Sequence, residues 1–170
     1  MLGYMDNDEA TKETLVDGWL HTGDLAKIDR NGYIYILGRK KNVIVLKNGK
    51  NVYPEEIEVL ISNLPFVKEV FVFGQPRESR AGSTGSRSIS ANTENDLVVT
   101  AKIVYDAEYF KLNYAAETFE DVEKLIKLAI DKINEGMPSY KHIRRLILTD
   151  QPMEKTTTGK IKRYKNKEQA

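Results

Sequence analysis

Apolar positions along this chain change period several times, and the changes mark its elements. Leu25-Ala26-Lys27-Ile28 and Gly32-Tyr33-Ile34-Tyr35-Ile36-Leu37 are strand-like runs, and the turn signal Asp29-Arg30-Asn31-Gly32 between them predicts a β-hairpin. Val43 to Leu46 predicts a further strand, followed by a polar loop at Asn48-Gly49. A helix is expected from Pro54 to Ser62: proline suits its first position, Glu55 and Glu56 favour the positive end of its dipole, and Ile57, Leu60, Ile61 and Leu64 repeat at helical spacing. Val67 to Phe73 and Asp96 to Tyr105 are strong strand candidates. Phe119 to Asn134 is the best helix, with Thr118 and Asp121 in capping-box spacing, an apolar stripe Val122, Leu125, Ile126, Ala129, Ile130 and Ile133, and Gly136 and Pro138 as a stop. Arg145 to Thr149 predicts a third strand, and a loop from Gln151 leads to a short basic helix from Ile161. Residues 1 to about 20 are polar, with a turn at Asp17-Gly18 before Trp19-Leu20.

Helices and strands alternate without a strict βαβ repeat, so the expected class is α+β: a small mixed β-sheet with flanking helices, preceded by a β-hairpin. A hairpin alone is marginal in water, so the first forty residues read as the edge of something larger. Residues 78–95, rich in Ser, Gly, Thr, Asn and Arg, lack the apolar side chains that would offset their ordering entropy and read as a flexible excursion.

Composition narrows the function. Of 170 residues 41% are hydrophobic and 30% charged, ordinary for a globular protein, and the net charge of +1 gives no electrostatic indication of nucleic acid. No apolar run is long enough to span a bilayer. With no cysteine, disulfides, thiolate catalysis and cysteine-based zinc sites are excluded, and His21 and His142 are too few and too far apart in sequence to predict a metal site. From Lys141 onward Lys and Arg outnumber Asp and Glu, which reads first as a solvated surface and second as a phosphate-binding one.

Three places carry candidate chemistry, each weak alone. Thr22-Gly23-Asp24 offers a glycine for close approach and a carboxylate able to accept two hydrogen bonds from vicinal hydroxyls. Arg39 and Lys41 flank the joint after the hairpin. Thr156-Thr157-Thr158-Gly159-Lys160 places a lysine on a hydroxyl-rich glycine loop, a movable point charge for an anion; it lacks the upstream glycine of a P-loop.

In this order and spacing the motifs resemble the C-terminal part of an adenylate-forming (AMP-binding) enzyme of the acyl-CoA synthetase superfamily. The resemblance rests on Gly18-Trp19-Leu20-His21-Thr22-Gly23-Asp24-Leu25, Gly32 to Arg39, Gly49 to Glu58, and Thr158-Gly159-Lys160. The wording from Glu154 to Arg163 looks most like a bacterial long-chain fatty-acid–CoA ligase. The resemblance implies residues 1–38 as the C-terminal edge of a large AMP-binding domain, 39–41 as a hinge and 42–170 as the small domain. It implies two half-reactions, with ATP, Mg2+ and CoA as co-substrates: adenylation of a fatty acid, then transfer to CoA. It further implies that Thr22, Asp24 and Arg39 bind nucleotide, Lys41 is the hinge residue, Lys47 and Gly49 line the CoA tunnel, and Lys160 is the catalytic lysine of adenylation.

The family's phosphate loop and acyl tunnel belong to the large domain, the expected partner of this chain, so the chain alone is expected to be inactive, with no nucleic-acid partner and no transmembrane segment. A cytoplasmic location, or one peripheral to a membrane, is implied. One departure is that Glu154 stands where the family has proline. Three other readings stay open: an aryl- or short-chain-CoA ligase or a carrier-loading adenylation module, a non-catalytic CoA- or carrier-binding module, and a nucleic-acid binder using the basic end.

Overall fold

A computed structural model describes residues 1–77, 96–116 and 118–168, and the chain divides into two compact units, Met1–Asn42 and Val43–Ala170. The excursion expected at 78–95 lies outside the described residues.

The first unit holds a helix and two hairpins. Helix α1 (Asp8–Thr14) is capped by Asn7, whose side chain accepts the Ala10 N–H; the polar sequence gave no apolar stripe to predict it, and it buries no residue. Strands β1 (Leu15–Val16) and β2 (Trp19–Leu20) pair across Asp17 and Gly18, both with positive φ (51° and 80°), the conformation a two-residue hairpin turn requires. Strands β3 (Asp24–Ile28) and β4 (Ile34–Arg39) form the expected hairpin, with Asp24 opposite Arg39 and an irregularity between Leu25 and Ala26. Its turn is organised by Asp29, whose carboxylate accepts the N–H groups of Asn31 (2.8 Å) and Tyr33 (3.0 Å) and the Tyr35 hydroxyl (3.1 Å). Desolvation pushes the Asp29 carboxyl up, but these bonds outweigh it and its pKa lies below the ordinary value.

The second unit is built on a three-stranded sheet in the order β7–β8–β9. Strand β7 (Val67–Pro76) runs antiparallel to β8 (Leu97–Tyr105), and β9 (Arg145–Thr149) runs parallel to β8. The parallel step is made through α3 (Ala107–Tyr114) and α4 (Phe119–Glu135), as a crossover connection requires. Before the sheet come a small hairpin, β5 (Ile44–Val45) with β6 (Asn51–Val52), and helix α2 (Pro54–Ser62), whose bounds match the expectation. The short helix α5 (Arg163–Glu168) follows the sheet.

Side chains of β8 alternate between two cores. Val99, Ala101 and Ile103 face the helices, where Ile57 and Ile61 of α2, Phe110 of α3 and Val122, Ile126 and Ile130 of α4 are buried. Each of these Val, Ile and Phe side chains stabilises the fold by about 1.5–3 kcal/mol relative to exposure. Leu60, expected on the α2 stripe, is instead 42% exposed: the buried stripe there is narrower than the apolar pattern. The opposite face carries a smaller core, Phe71, Phe73 and Val104 with Met153, against which Ile161 also packs.

Two helix starts differ from the sequence reading. Thr118 caps α4 by accepting the Asp121 N–H (3.2 Å), but its hydroxyl donates to the Asp121 carboxylate (2.6 Å); the shorter acid makes this bond in place of a reciprocal backbone cap. Helix α3, absent from the expectation, is capped by Asp106, which accepts from Glu108 and Tyr109. It is held by Phe110, which packs among Phe66, Tyr105, Tyr109 and Tyr114 with ring centroids 4.9–6.1 Å away. That aromatic cluster comes from separate segments, which no local periodicity could show.

Candidate active site

In the first unit, pairing of β3 with β4 brings the three expected nucleotide-binding residues together. The Arg39 guanidinium meets the Asp24 carboxylate (Nε–Oδ1 2.8 Å) and donates from Nη1 to the Thr22 carbonyl (3.1 Å). The Thr22 hydroxyl accepts the Asp24 N–H at 3.2 Å, and the Lys40 N–H donates to the Gly23 carbonyl at 2.9 Å. Gly23 has φ 73° with open space where a side chain would stand, so the backbone here can be approached closely. These residues line an open cavity of about 840 Å3 together with Trp19, His21 and Lys41. Lys41 lies exposed in a 3₁₀ turn, Lys40–Asn42.

Lys47 and Gly49 share the tight turn between β5 and β6. Gly49 donates to the Leu46 carbonyl (2.8 Å), Leu46 to that of Lys50 (3.0 Å), and Gly49 has φ 75° with nothing beside it. Lys47 borders a cavity of about 310 Å3 with Tyr140, His142 and Arg144, and the Lys50 ammonium sits 4.4 Å from the Tyr140 ring centroid.

Lys160 is exposed on a miniature hairpin. Lys155 and Ile161 form its β-bridge, Thr156 donates to the Lys160 carbonyl (2.7 Å), Lys162 to that of Glu154 (2.9 Å), and Gly159 turns the tip with φ 80°. The Thr156 hydroxyl accepts the Lys160 N–H (3.1 Å) and lies 2.9 Å from that of Thr158, which explains the threonine-rich wording. The Lys160 ammonium has no ion-pair partner among the described residues. The stem is held from several sides. Glu69 of β7 accepts the Met153 N–H (2.8 Å) and pairs with Lys155, and Arg163 pairs with Glu58 of α2 (2.7 Å) and approaches Glu55 (3.5 Å). Sequence reading missed Glu58, Glu69 and Asn166. Apart from the Lys162 carbonyl, one helical turn before Asn166, the partners named for them lie 12 to 105 residues away, and the surplus of cations after Lys141 was the only hint that acids elsewhere would answer them.

Residues 41–83 match the sequence model of the AMP-binding enzyme C-terminal domain. The chain carries an AMP-binding enzyme C-terminal domain. It is 35% identical to a 2-succinylbenzoate–CoA ligase of Listeria monocytogenes over 167 residues, 98% of this chain and 29% of that protein. Over 85 residues, half of this chain and 14% of the relative, it is 46% identical to a long-chain-fatty-acid–CoA ligase of Escherichia coli. Among solved structures, the anthranilate–CoA ligase crystallised with anthranoyl-AMP matches with a TM-score of 0.73 and 28% identity, covering 99% of this chain and 28% of that one. The chain thus spans less than a third of the length of these curated relatives, and its small mixed α+β fold is that of this C-terminal domain. Among the described residues of the AMP-binding C-terminal domain, no helix is long and apolar enough to cross a membrane, and no cluster of three or more His, Asp or Glu side chains could hold a metal.

Proposed function

We propose that this chain is the mobile C-terminal part of an ATP-dependent acid–CoA ligase, with a fatty acid as its carboxylate. In the first half-reaction a carboxylate oxygen attacks the α-phosphorus of MgATP, and the bond to pyrophosphate breaks. In the second, the CoA thiolate attacks the acyl carbonyl and AMP leaves. The observation that carries this reading is Lys160: an exposed ammonium, unpaired among the described residues, on a short loop whose stem is held by Glu69 and Asn166. Such a cation can meet charge that builds on phosphoryl oxygens as the adenylate forms, and a prearranged donor of this kind is worth about 10²–10³ in rate.

Thr22, Asp24 and Arg39 bind the nucleotide: one Asp24 oxygen is held by Arg39, which orients the carboxylate beside the cavity for ribose hydroxyls. Lys47 and Gly49 receive CoA, supported by the open space over Gly49 and the cations beside Lys47. Lys41 is the pivot, supported by the change of compact unit between Asn42 and Val43. The partner is a large domain of the same enzyme. The apolar side chains that the β3–β4 hairpin leaves in solvent, Ile28, Tyr33, Ile34 and Ile36 at 66–74% exposure, support it, since a contiguous apolar surface marks an interaction site. MgATP and CoA are drawn from the cytoplasm.

The identity to the fatty-acid–CoA ligase is higher but covers half the chain, whereas the match to the succinylbenzoate ligase spans nearly all of it. An aromatic carboxylate is therefore the second reading. In the intact enzyme, acid-dependent ATP–pyrophosphate exchange with palmitate, with 2-succinylbenzoate and with no acid separates the two. The same assay with Lys160→Ala tests the reading itself. Exchange is expected to fall at least a hundredfold while thioester formation from supplied acyl-adenylate persists; equal loss in both steps refutes the assigned role.

A further inference from the structure

The stem of the Lys160 hairpin ends on a buried amide. Asn166, in α5, is 1% exposed, and its side chain is spent on one rung of the hairpin. Its Oδ1 accepts the Glu154 N–H (3.3 Å), and its Nδ2 donates to the Glu154 and Lys162 carbonyls (3.0 Å each). Glu154 and Lys162 are the opposed residues at the open end of the hairpin, joined by their own backbone bond of 2.9 Å. The Glu154 N–H is a donor that a proline at this position would not have, and Asn166 satisfies it.

A buried amide gives up hydration that its hydrogen bonds only repay, so it adds little net stability compared with an apolar side chain of the same size. Its distinctive contribution is direction. Three bonds from one planar group fix the angle at which both limbs leave the domain, two residues after Lys160 on the returning limb. The apolar anchors of the same segment, Met153 and Ile161, resist lifting from Phe71 and Phe73 but do not define a rotation about the limb axis.

We propose that Asn166 is a positioning residue for Lys160, holding the hairpin at the angle that delivers the ammonium to the reacting phosphate. The inference rests on the adenylation role proposed for Lys160. Displacing a reacting group by about 1 Å can cost on the order of a hundredfold in rate, so a small tilt at the Glu154–Lys162 rung has a large effect on one half-reaction and none on the other.

The test uses the intact enzyme with Lys160→Ala, Asn166→Leu and Asn166→Gln. Asn166→Leu removes all three bonds at similar volume, and Asn166→Gln moves the amide outward by one methylene in case the leucine variant folds poorly. Both are expected to lower kcat for ATP–pyrophosphate exchange at least about tenfold, with KM for ATP unchanged. Thioester formation from supplied acyl-adenylate should stay within about twofold. If Lys160→Ala abolishes exchange while both Asn166 variants keep wild-type rates, or lose both half-reactions in parallel, the positioning role is wrong and the reading of Lys160 stands. If Lys160→Ala itself leaves exchange intact, the reading of the reaction falls, and the positioning role with it.

Discussion

Gly74 lies in β7 against Ile44 of the β5–β6 hairpin and Leu97 of β8. A Cβ built there would stand 2.8 Å from the Ile44 Cγ2 and 3.1 Å from the Leu97 Cδ1. Ordinary carbon contacts are about 3.5–4.0 Å, so Gly74→Ala must move Ile44 by roughly 0.7 Å or more. Ile44 is 4% exposed and branched at the Cβ that carries this methyl, so it has no alternative rotamer at low cost. Overpacking of this kind costs about 1–3 kcal/mol. Replacing a glycine regains about 0.4–1 kcal/mol by restricting the unfolded chain, which leaves a net destabilisation of about 1.3 kcal/mol at the middle of the two ranges. For a domain of this size that is roughly 3–8 °C in Tm. Urea titration of wild type, Gly74→Ala, Ile44→Ala and the double variant gives the answer. Ile44→Ala alone should cost about 2–5 kcal/mol; in the Gly74→Ala background it should cost less by about 1 kcal/mol or more, because the clash goes with it. A neutral or stabilising Gly74→Ala, or strict additivity in the cycle, refutes the reasoning.

Two further outcomes are expected. The Asp106 carboxyl lies below its ordinary pKa of 3.8, chiefly through its bond to the Lys68 ammonium, opposed by desolvation and aided by the Tyr109 and Glu108 N–H groups. A lowered folded pKa stabilises the fold fully above the unfolded value, and that stabilisation is lost as pH falls through the folded one. Asp106→Ala should therefore melt below wild type at pH 7, with the gap closing as pH drops below 3.8; a gap that persists or widens in acid contradicts the assignment. Arg163→Ala leaves the half-buried Glu58 without its cation and beside Glu55, and should lower the denaturation midpoint by an amount equal to about 1–3 kcal/mol. Arg163→Lys, which keeps the charge but not the fork, should recover part of that, and a silent Arg163→Ala would show the pair to be idle.

Much of this arrangement is legible in the residues. The β3–β4 hairpin announces itself through Asp29-Arg30-Asn31-Gly32, and α2 through Pro54 and its acidic first turn, because these signals are local and act within a few residues. The clustering of Thr22, Asp24 and Arg39 follows from that hairpin, whose register sets Asp24 opposite Arg39. The setting of Lys160 is another matter. Its loop is visible in Thr156 to Lys160, but what holds the loop is Glu69, Glu58 and Asn166, and nothing near any of them signals a partner. Helix α1 escapes for the opposite reason: it buries nothing, so no apolar stripe betrays it. Leu60 shows the converse error, an apolar residue at helical spacing that the fold leaves in water.

The pairing of β7 with β8 is complete where the two strands part. Pro76 stands opposite Leu97, and just beyond them the Arg77 N–H donates to the Asp96 carbonyl at 2.8 Å. The described rungs lie on the domain side of this neck, from Val67 opposite Tyr105 to Pro76 opposite Leu97. The register is thus written in the two strands themselves, and the backbone bond from Arg77 to Asp96 is its last stitch.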